Sequence, residues 1–265
     1  MLPLLVSTPH SSGEVPPAIL GEMLKTGEPE TELRSRIFRE GDPFTDGIFR
    51  IAGAAVTVNA KTSRFVVDLN RERNEGGENG VIKRTDFDRR PFYTSDFILS
   101  EDARKRRLTE YYDPYHRAIS AAIRGGSIRF LIDGHSMTAV GPAIGPDQGK
   151  PRPALCIGNF GDGNGAFVSS PLSCPPELAV FIRDQCRDVL ADMIAESGLP
   201  APELNQPFDG GHILRKYSSP NLPGIMIEIN RALYLDEKTL EPLPGRIPRL
   251  QEGMERLFTE LCDRL

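Results

Sequence analysis

Six short apolar runs limit what this chain can fold into. Leu4–Ser7, Ile51–Asn59, Phe65–Leu69, Ile128–Asp133, Ala154–Gly158 and Ile225–Ile229 are rich in Val, Ile and Leu. Brief, nearly continuous apolar runs suit strands covered on both faces, as in a parallel sheet packed between helices. Helical segments lie between them. Asp102–Arg124 carries helical spacing and meets the stop signal Gly125-Gly126. Pro176–Ser197 opens on proline, repeats apolar residues at helical spacing and ends at Gly198, and Gln251–Leu265 reads as a closing helix. Thr31–Arg39 is polar and reads as helix or loop, Arg71–Asp86 as an exposed loop, and Gly161–Gly165 as a glycine-rich loop. The alternation predicts one α/β domain over residues 1–265 with a largely buried, mainly parallel sheet.

Composition excludes several functions. The chain has 265 residues, 39% hydrophobic and 26% charged, and a net charge of −5. It lacks the basic surplus of a nucleic-acid or anionic-membrane binder. No apolar stretch approaches the roughly 20 residues of a membrane span. The opening MLPLLVSTPHSSG lacks the basic start of a secretory signal and reads as a first buried strand. Cys156, Cys174, Cys186 and Cys262 form no CxxC pair. They argue against a cysteine-held zinc and read as reduced thiols of a cytoplasmic protein.

Two of the four histidines stand at strand ends: His10 after Leu4–Ser7 and His135 after Ile128–Asp133. Ligands of open α/β sheets bind at the carboxyl ends of strands, so these imidazoles can face one site. Neutral imidazole is a good zinc ligand, and a catalytic zinc takes a third protein ligand plus water. Glu14 and Asp46 are carboxylate candidates for that place, and spacing does not choose between them. Asp133, two residues before His135, can instead orient its imidazole. Two imidazoles and a carboxylate also suit iron or manganese.

Two further groups can handle an acidic substrate. The run Ser63-Arg64-Phe65-Val66-Val67-Asp68-Leu69 ends in Asn70-Arg71. Arg71 can fork onto a substrate carboxylate beside Asn70, with Asp68 fixing the arginine by an ion pair. Glu228 sits among apolar residues in Ile225–Asn230, where desolvation would raise its pKa toward the range of a general base.

Several motifs, in order, resemble the N-formylglutamate amidohydrolase family. They are Thr8-Pro9-His10-Ser11-Ser12-Gly13, Thr45-Asp46, Ser63-Arg64 through Asn70-Arg71, and Tyr111-Tyr112-Asp113-Pro114-Tyr115-His116. Next come Asp133-Gly134-His135-Ser136-Met137, the loop from Gly158, Asn205 through His212, and Glu228-Ile229-Asn230-Arg231-Ala232-Leu233-Tyr234. The resemblance implies a three-layer αβα fold with a mixed, mainly parallel central sheet, similar to zinc carboxypeptidases and aspartoacylases. It implies zinc, or another divalent metal, on His10, His135 and a carboxylate. The carboxypeptidase pattern would put a Glu where Gly13 stands. The expected third ligand is therefore Asp46 rather than Glu14. Asn70 and Arg71, with Arg64, become the carboxylate clamp and Glu228 the base. His116 and Arg215 are expected to contact substrate or its tetrahedral intermediate. His212 stands where the family commonly has an aromatic residue. The implied reaction turns a small molecule, N-formyl-L-glutamate, into formate and L-glutamate, the last step of one histidine degradation route. The rivals are hydrolysis of another N-acyl amino acid or peptide, and a non-catalytic ligand-binding protein on the same scaffold.

Overall fold

A computed structural model describes residues 1–265, the side chain of Ala55 apart. The chain enters through β1 (Leu2–Thr8), followed by α1 (Pro17–Met23), α2 (Glu30–Glu40), the single turn α3 (Thr45–Ile48) and β2 (Ala54–Asn59). A long loop leads to α4 (Glu101–Arg107), a π-helical segment (Leu108–Tyr112) and α5 (Asp113–Arg124). Then come β3 (Phe130–Met137), β4 (Leu155–Gly158), α6 (Pro176–Val189), α7 (Ala191–Ser197) and β5 (Glu203–Leu204). The chain closes with α8 (His212–Tyr217), β6 (Gly224–Asn230), the small hairpin β7 (Leu235–Asp236) and β8 (Glu241–Pro242), and α9 (Arg246–Cys262). None of these helices is long and apolar enough to cross a membrane.

The central sheet has the order β2-β1-β3-β6-β4-β5. Every pairing is parallel except β4 with β6. Strand alternation sends side chains to two separate cores. Leu4, Val6, Phe130, Ile132, Ile225 and Ile227 pack with residues of α6, α7 and α9. Leu5, Leu131 and Met226 face the opposite way and pack with residues of the π segment, α5 and α8. The sheet therefore lies between two helical layers, the mixed, mainly parallel αβα arrangement expected from the sequence. A third cluster joins α1 and α2 to Phe65, Val66, Phe92 and Tyr93 at one end.

The helix expected over 176–197 breaks at Leu190 into α6 and α7, and the strand expected from Ile51 starts at Ala54. Three further elements differ from the sequence expectation. Phe65–Leu69 forms turns, not a strand. The Phe65 amide donates to Ser63 Oγ (3.2 Å) and the Val66 amide to the Ser63 carbonyl (2.9 Å). The run is buried because Phe65 and Val66 fill the end cluster while Val67 and Leu69 fill the core under α5. Apolar length alone does not separate that arrangement from a strand. Helix 102–124 is widened at Leu108–Tyr112. Pro114 has no N–H for the Glu110 carbonyl and would press on it in a regular helix, and the wider turn accommodates the ring. β3 also runs on through His135 instead of ending at Asp133.

Candidate active site

β1, β3 and β6 are parallel neighbours, and their carboxyl ends bring three sequence-predicted residues to one place. His10 lies just past β1. His135 and Glu228 are register partners on β3 and β6, so both project from the same sheet face. Gly134 between Asp133 and His135 has a packing reason: a Cβ there would meet the Phe49 ring at 2.7 Å on the opposite face. The carboxylate that completes the group is Asp42, just after α2, whose amide donates to the His10 carbonyl (2.9 Å). Asp42 Oδ2 lies 2.9 Å from His135 Nδ1 and 3.3 Å from His10 Nδ1. The two rings are 5.0 Å apart, and all three residues are buried.

A carboxylate stands behind each ring: His10 Nε2 donates to Asp68 Oδ1 (2.8 Å), and His135 Nε2 lies 3.2 Å from Asp133 Oδ2 and from Asn70 Nδ2. Both Nδ1 atoms face the gap beside Asp42. His10 Nδ1 is buried with no hydrogen-bond partner. Ligating histidines commonly carry such a carboxylate behind them. Two imidazole nitrogens and a carboxylate, within 4.8 Å of one another, fit a divalent ion. Burial works to raise the Asp42 carboxyl, but His10 and His135, when they carry a proton on Nδ1, hold it well below the usual range; an ion there would take the place of those protons. Burial opposes the charge on His135, and Asp133 overcomes it and raises the imidazole. Burial pushes the Glu228 carboxyl up to about 7, with His135 pulling the other way.

This group forms the floor of a cavity of about 280 Å³. Arg64, Asn70, Arg71, Arg152, Arg231 and Glu228 supply its polar lining, and Phe87, Ile144 and Phe208 part of its apolar wall. Asn70 is tightly held: Nδ2 donates to Asp133 Oδ2 (3.3 Å), and Oδ1 accepts the Ile213 amide (2.8 Å) in the first turn of α8. Gly211 permits this approach, because a Cβ there would lie 2.3 Å from Asn70 Nδ2.

A model of the N-formylglutamate amidohydrolase family matches residues 2–235. The chain belongs to that family. It is 30% identical to the N-formylglutamate deformylase of Pseudomonas aeruginosa, covering 100% of this chain and 92% of the relative. It is 29% identical to the N-formylglutamate deformylase of Pseudomonas putida, covering 89% and 83%. The crystal structure of N-formylglutamate amidohydrolase from Ralstonia eutropha JMP134 superposes with a TM-score of 0.74 at 22% identity, covering 99% of this chain and 93% of that one. That last likeness carries the fold.

Within this member of the family, the cavity gathers His10, His135, Arg64, Asn70, Arg71 and Glu228, as the sequence suggested. Three expected residues stand elsewhere. Asp46 is half-buried on α3, outside the cavity lining; Asp42, four residues earlier, stands between the imidazoles. Glu14, the other candidate, is exposed. His116 is buried in α5, where it bonds Tyr217 and the Leu69 carbonyl; burial depresses its pKa to about 3, so it stays neutral. Arg215 lies on the exposed side of α8 with its guanidinium 4.6 Å from the Phe160 ring centre. Asp68 pairs with Arg64 (3.0 Å) and Lys83 (3.4 Å) instead of Arg71, whose Nε donates to the Asn79 carbonyl (3.2 Å). His212 opens α8 with Nε2 at 3.3 Å from the Tyr112 hydroxyl.

Sequence reasoning missed Asp42, Lys83, Arg152 and Arg231. Arg231 reaches Asp42 Oδ1 (3.4 Å), donates to Ser136 Oγ (3.1 Å) and bonds the carbonyls of Arg39 and Gly41. It therefore holds the Asp42 loop in place. Its only sequence signal was its position in Glu228–Tyr234.

Proposed function

We propose that the chain hydrolyses N-formyl-L-glutamate to formate and L-glutamate with a divalent metal, zinc by preference, at His10, Asp42 and His135. The observation carrying this reading is the convergence of two Nδ1 atoms and one carboxylate beside Glu228, on the floor of an arginine-lined cavity. The names of the Pseudomonas relatives point to the same substrate. A divalent ion in that place would lower the pKa of a water toward about 7 and polarise the acyl oxygen.

The protein's own groups supply the rest. Glu228 stands in line with His135 across β3 and β6, and its carboxylate accepts a proton from the attacking water. It then returns that proton to the departing amine. Arg71 holds a substrate carboxylate and so places the scissile amide over the metal-binding group, braced by Asn70, whose side chain is taken up by Asp133, His135 and the Ile213 amide. Arg64 has a buried Nε without a partner, available for the acyl oxygen or a second carboxylate.

The test combines metal analysis of the purified protein with a screen of N-formyl, N-acetyl and peptide substrates. Glu228→Gln should keep the metal and lose at least about a hundredfold in kcat, the lower range for a general base. Unchanged hydrolysis in that variant sinks the proposed base. Turnover of an acetylated or peptide substrate with N-formylglutamate inert replaces the substrate and leaves the chemistry. No hydrolysis by either form favours a binding protein.

A further inference from the structure

The carbonyls on either side of Asn70 are each gripped by a buried side chain from the widened helix. Tyr112, the last residue of the π segment, donates its hydroxyl to the Arg71 carbonyl at 2.9 Å. His116, one turn on in α5, lies with Nε2 at 3.1 Å from the Leu69 carbonyl. A carbonyl only accepts, so His116 carries its proton on Nε2. Its Nδ1 then accepts from the Tyr217 hydroxyl at 2.9 Å. By the same logic the Tyr112 oxygen, having donated, accepts from His212 Nε2 at 3.3 Å. The Tyr112 and His116 rings lie 4.1 Å apart. Tyr112 is 1% exposed and His116 5%, and neither lines the cavity.

The π segment is what brings both donors to one stretch of backbone. An inserted residue rotates the side chains that follow it by about 100° relative to those before it. Tyr112 and His116 are four apart and share a face, and that face lies against Leu69–Arg71. Between the two pinned carbonyls, the Asn70 amide donates to Asp68 Oδ1 at 2.9 Å, and its side chain reaches Asp133. The Arg71 side chain leaves this fixed backbone for the cavity, where it is 38% exposed and bound only by the Asn79 carbonyl and a distant Glu75. A long, partly exposed side chain takes its aim from its backbone.

We infer that Tyr112 and His116 are positioning residues that set the Leu69–Arg71 backbone and so direct Arg71 onto the substrate carboxylate. The inference rests on the clamp role given above to Arg71. His116 thereby has a place in function without touching substrate. Its tautomer, fixed by the Leu69 carbonyl and the Tyr217 hydroxyl, is what matters.

Tyr112→Phe fills the same buried volume and removes only the hydroxyl. With the metal-loaded protein and N-formyl-L-glutamate, Tyr112→Phe and His116→Leu should each raise KM about tenfold, keep kcat within about twofold, and leave metal content unchanged. That pattern marks lost binding common to ground and transition states. His116→Gln, which keeps a donor near the Nε2 place, should recover most of the KM. An unchanged KM in Tyr112→Phe, or a loss confined to kcat, overturns the inference. If His116→Leu fails to fold, Tyr112→Phe still decides. If the wild type hydrolyses no N-acyl amino acid, the functional reading falls separately. Amide hydrogen exchange then decides the inference: exchange at residues 69–71 should be faster in Tyr112→Phe than in wild type, and equal exchange overturns it.

Discussion

Replacing Asp68 by Asn should damage both the fold and the metal affinity, because this carboxylate meets two separate demands. Oδ1 accepts from His10 Nε2 (2.8 Å) and the Asn70 amide (2.9 Å). Oδ2 faces Arg64 Nη2 (3.0 Å) and Lys83 Nζ (3.4 Å). Asp68 is wholly buried and Lys83 is 1% exposed, so neither cation's contact is replaced by water. Burial pushes Lys83 down to about 8 against the pull of Asp68, and the cations, with His10, hold the Asp68 carboxyl well below its ordinary value. An Asn that keeps its oxygen toward His10 turns its NH2 toward two positive charges. A charge-assisted hydrogen bond from Arg64, worth about 1.5–3 kcal/mol, is lost together with the close ion pair to Lys83. Breaking a buried pair by removing one partner costs about 3–5 kcal/mol, in agreement. At about 2–4 °C per kcal/mol for a chain somewhat shorter than this, Tm should fall by roughly 6–20 °C. The His10 imidazole also loses its anionic partner, which should weaken metal binding about 10- to 100-fold. Thermal unfolding of the metal-free protein isolates the first effect, and chelator competition measures the second. In a Lys83→Met background the stability cost should shrink, since one of the stranded cations is gone. A metal-free Tm within about 2 °C of wild type, with unaltered chelator competition, would refute the hub argument.

Asp42→Ala should abolish stoichiometric metal binding while Asp46→Ala retains it, read by metal analysis after dialysis; the opposite result would restore Asp46 as the ligand. Glu40 tests a second buried carboxyl. Its pKa is raised by burial from 4.5 to about 7, and its Oε2 accepts the Phe87 amide at 2.7 Å. The folded state therefore binds this proton more tightly than the unfolded chain. The stability this gives is full below pH 4.5 and is lost as pH rises through about 7. Glu40→Gln, which keeps an acceptor for Phe87, should match wild type near pH 4.5. At pH 8 it should be more stable by up to about 3 kcal/mol, the 2.5-unit difference between 4.5 and 7 at about 1.36 kcal/mol per unit. Urea midpoints at the two pH values check it, and a gain of equal size at both would contradict the burial argument.

The layered fold was legible because its cause is local. Runs such as Leu4–Ser7 and Ile225–Ile229 are apolar on both faces, and only a sheet between two helical layers buries both. The same rule misread Phe65–Leu69, where two cores meet around a turn and each takes two of the apolar side chains. His10, His135 and Glu228 were legible through their place at the carboxyl ends of strands. Asp133 was legible through its period-two relation to His135, which puts both on one face of β3. His116 and Arg215 were misplaced because a motif marks a residue without saying whether it faces the cavity or supports it.

Asp42 was not legible, and the reason lies in two residues. Asp42 and Asp46 flank Pro43-Phe44-Thr45 with similar local surroundings in sequence. What separates them is the backbone at Phe44, which has φ 67 and turns the chain into α3. Few non-glycine residues adopt that conformation, and a phenylalanine gives no advance sign of it. It is held by contacts distant in sequence: Phe44 packs edge-on to Phe38 and Tyr234, the Tyr234 hydroxyl donates to the Pro43 carbonyl (3.0 Å), and Arg231 bonds the Gly41 carbonyl. Past the turn, Ile48 and Phe49 join the core under α9, on the sheet face opposite His135. This carries Asp46 away with α3 and leaves Asp42 against the imidazoles. The proposed preference for Asp42 over Asp46 thus rests on Arg231 and Tyr234, nearly two hundred residues away along the chain.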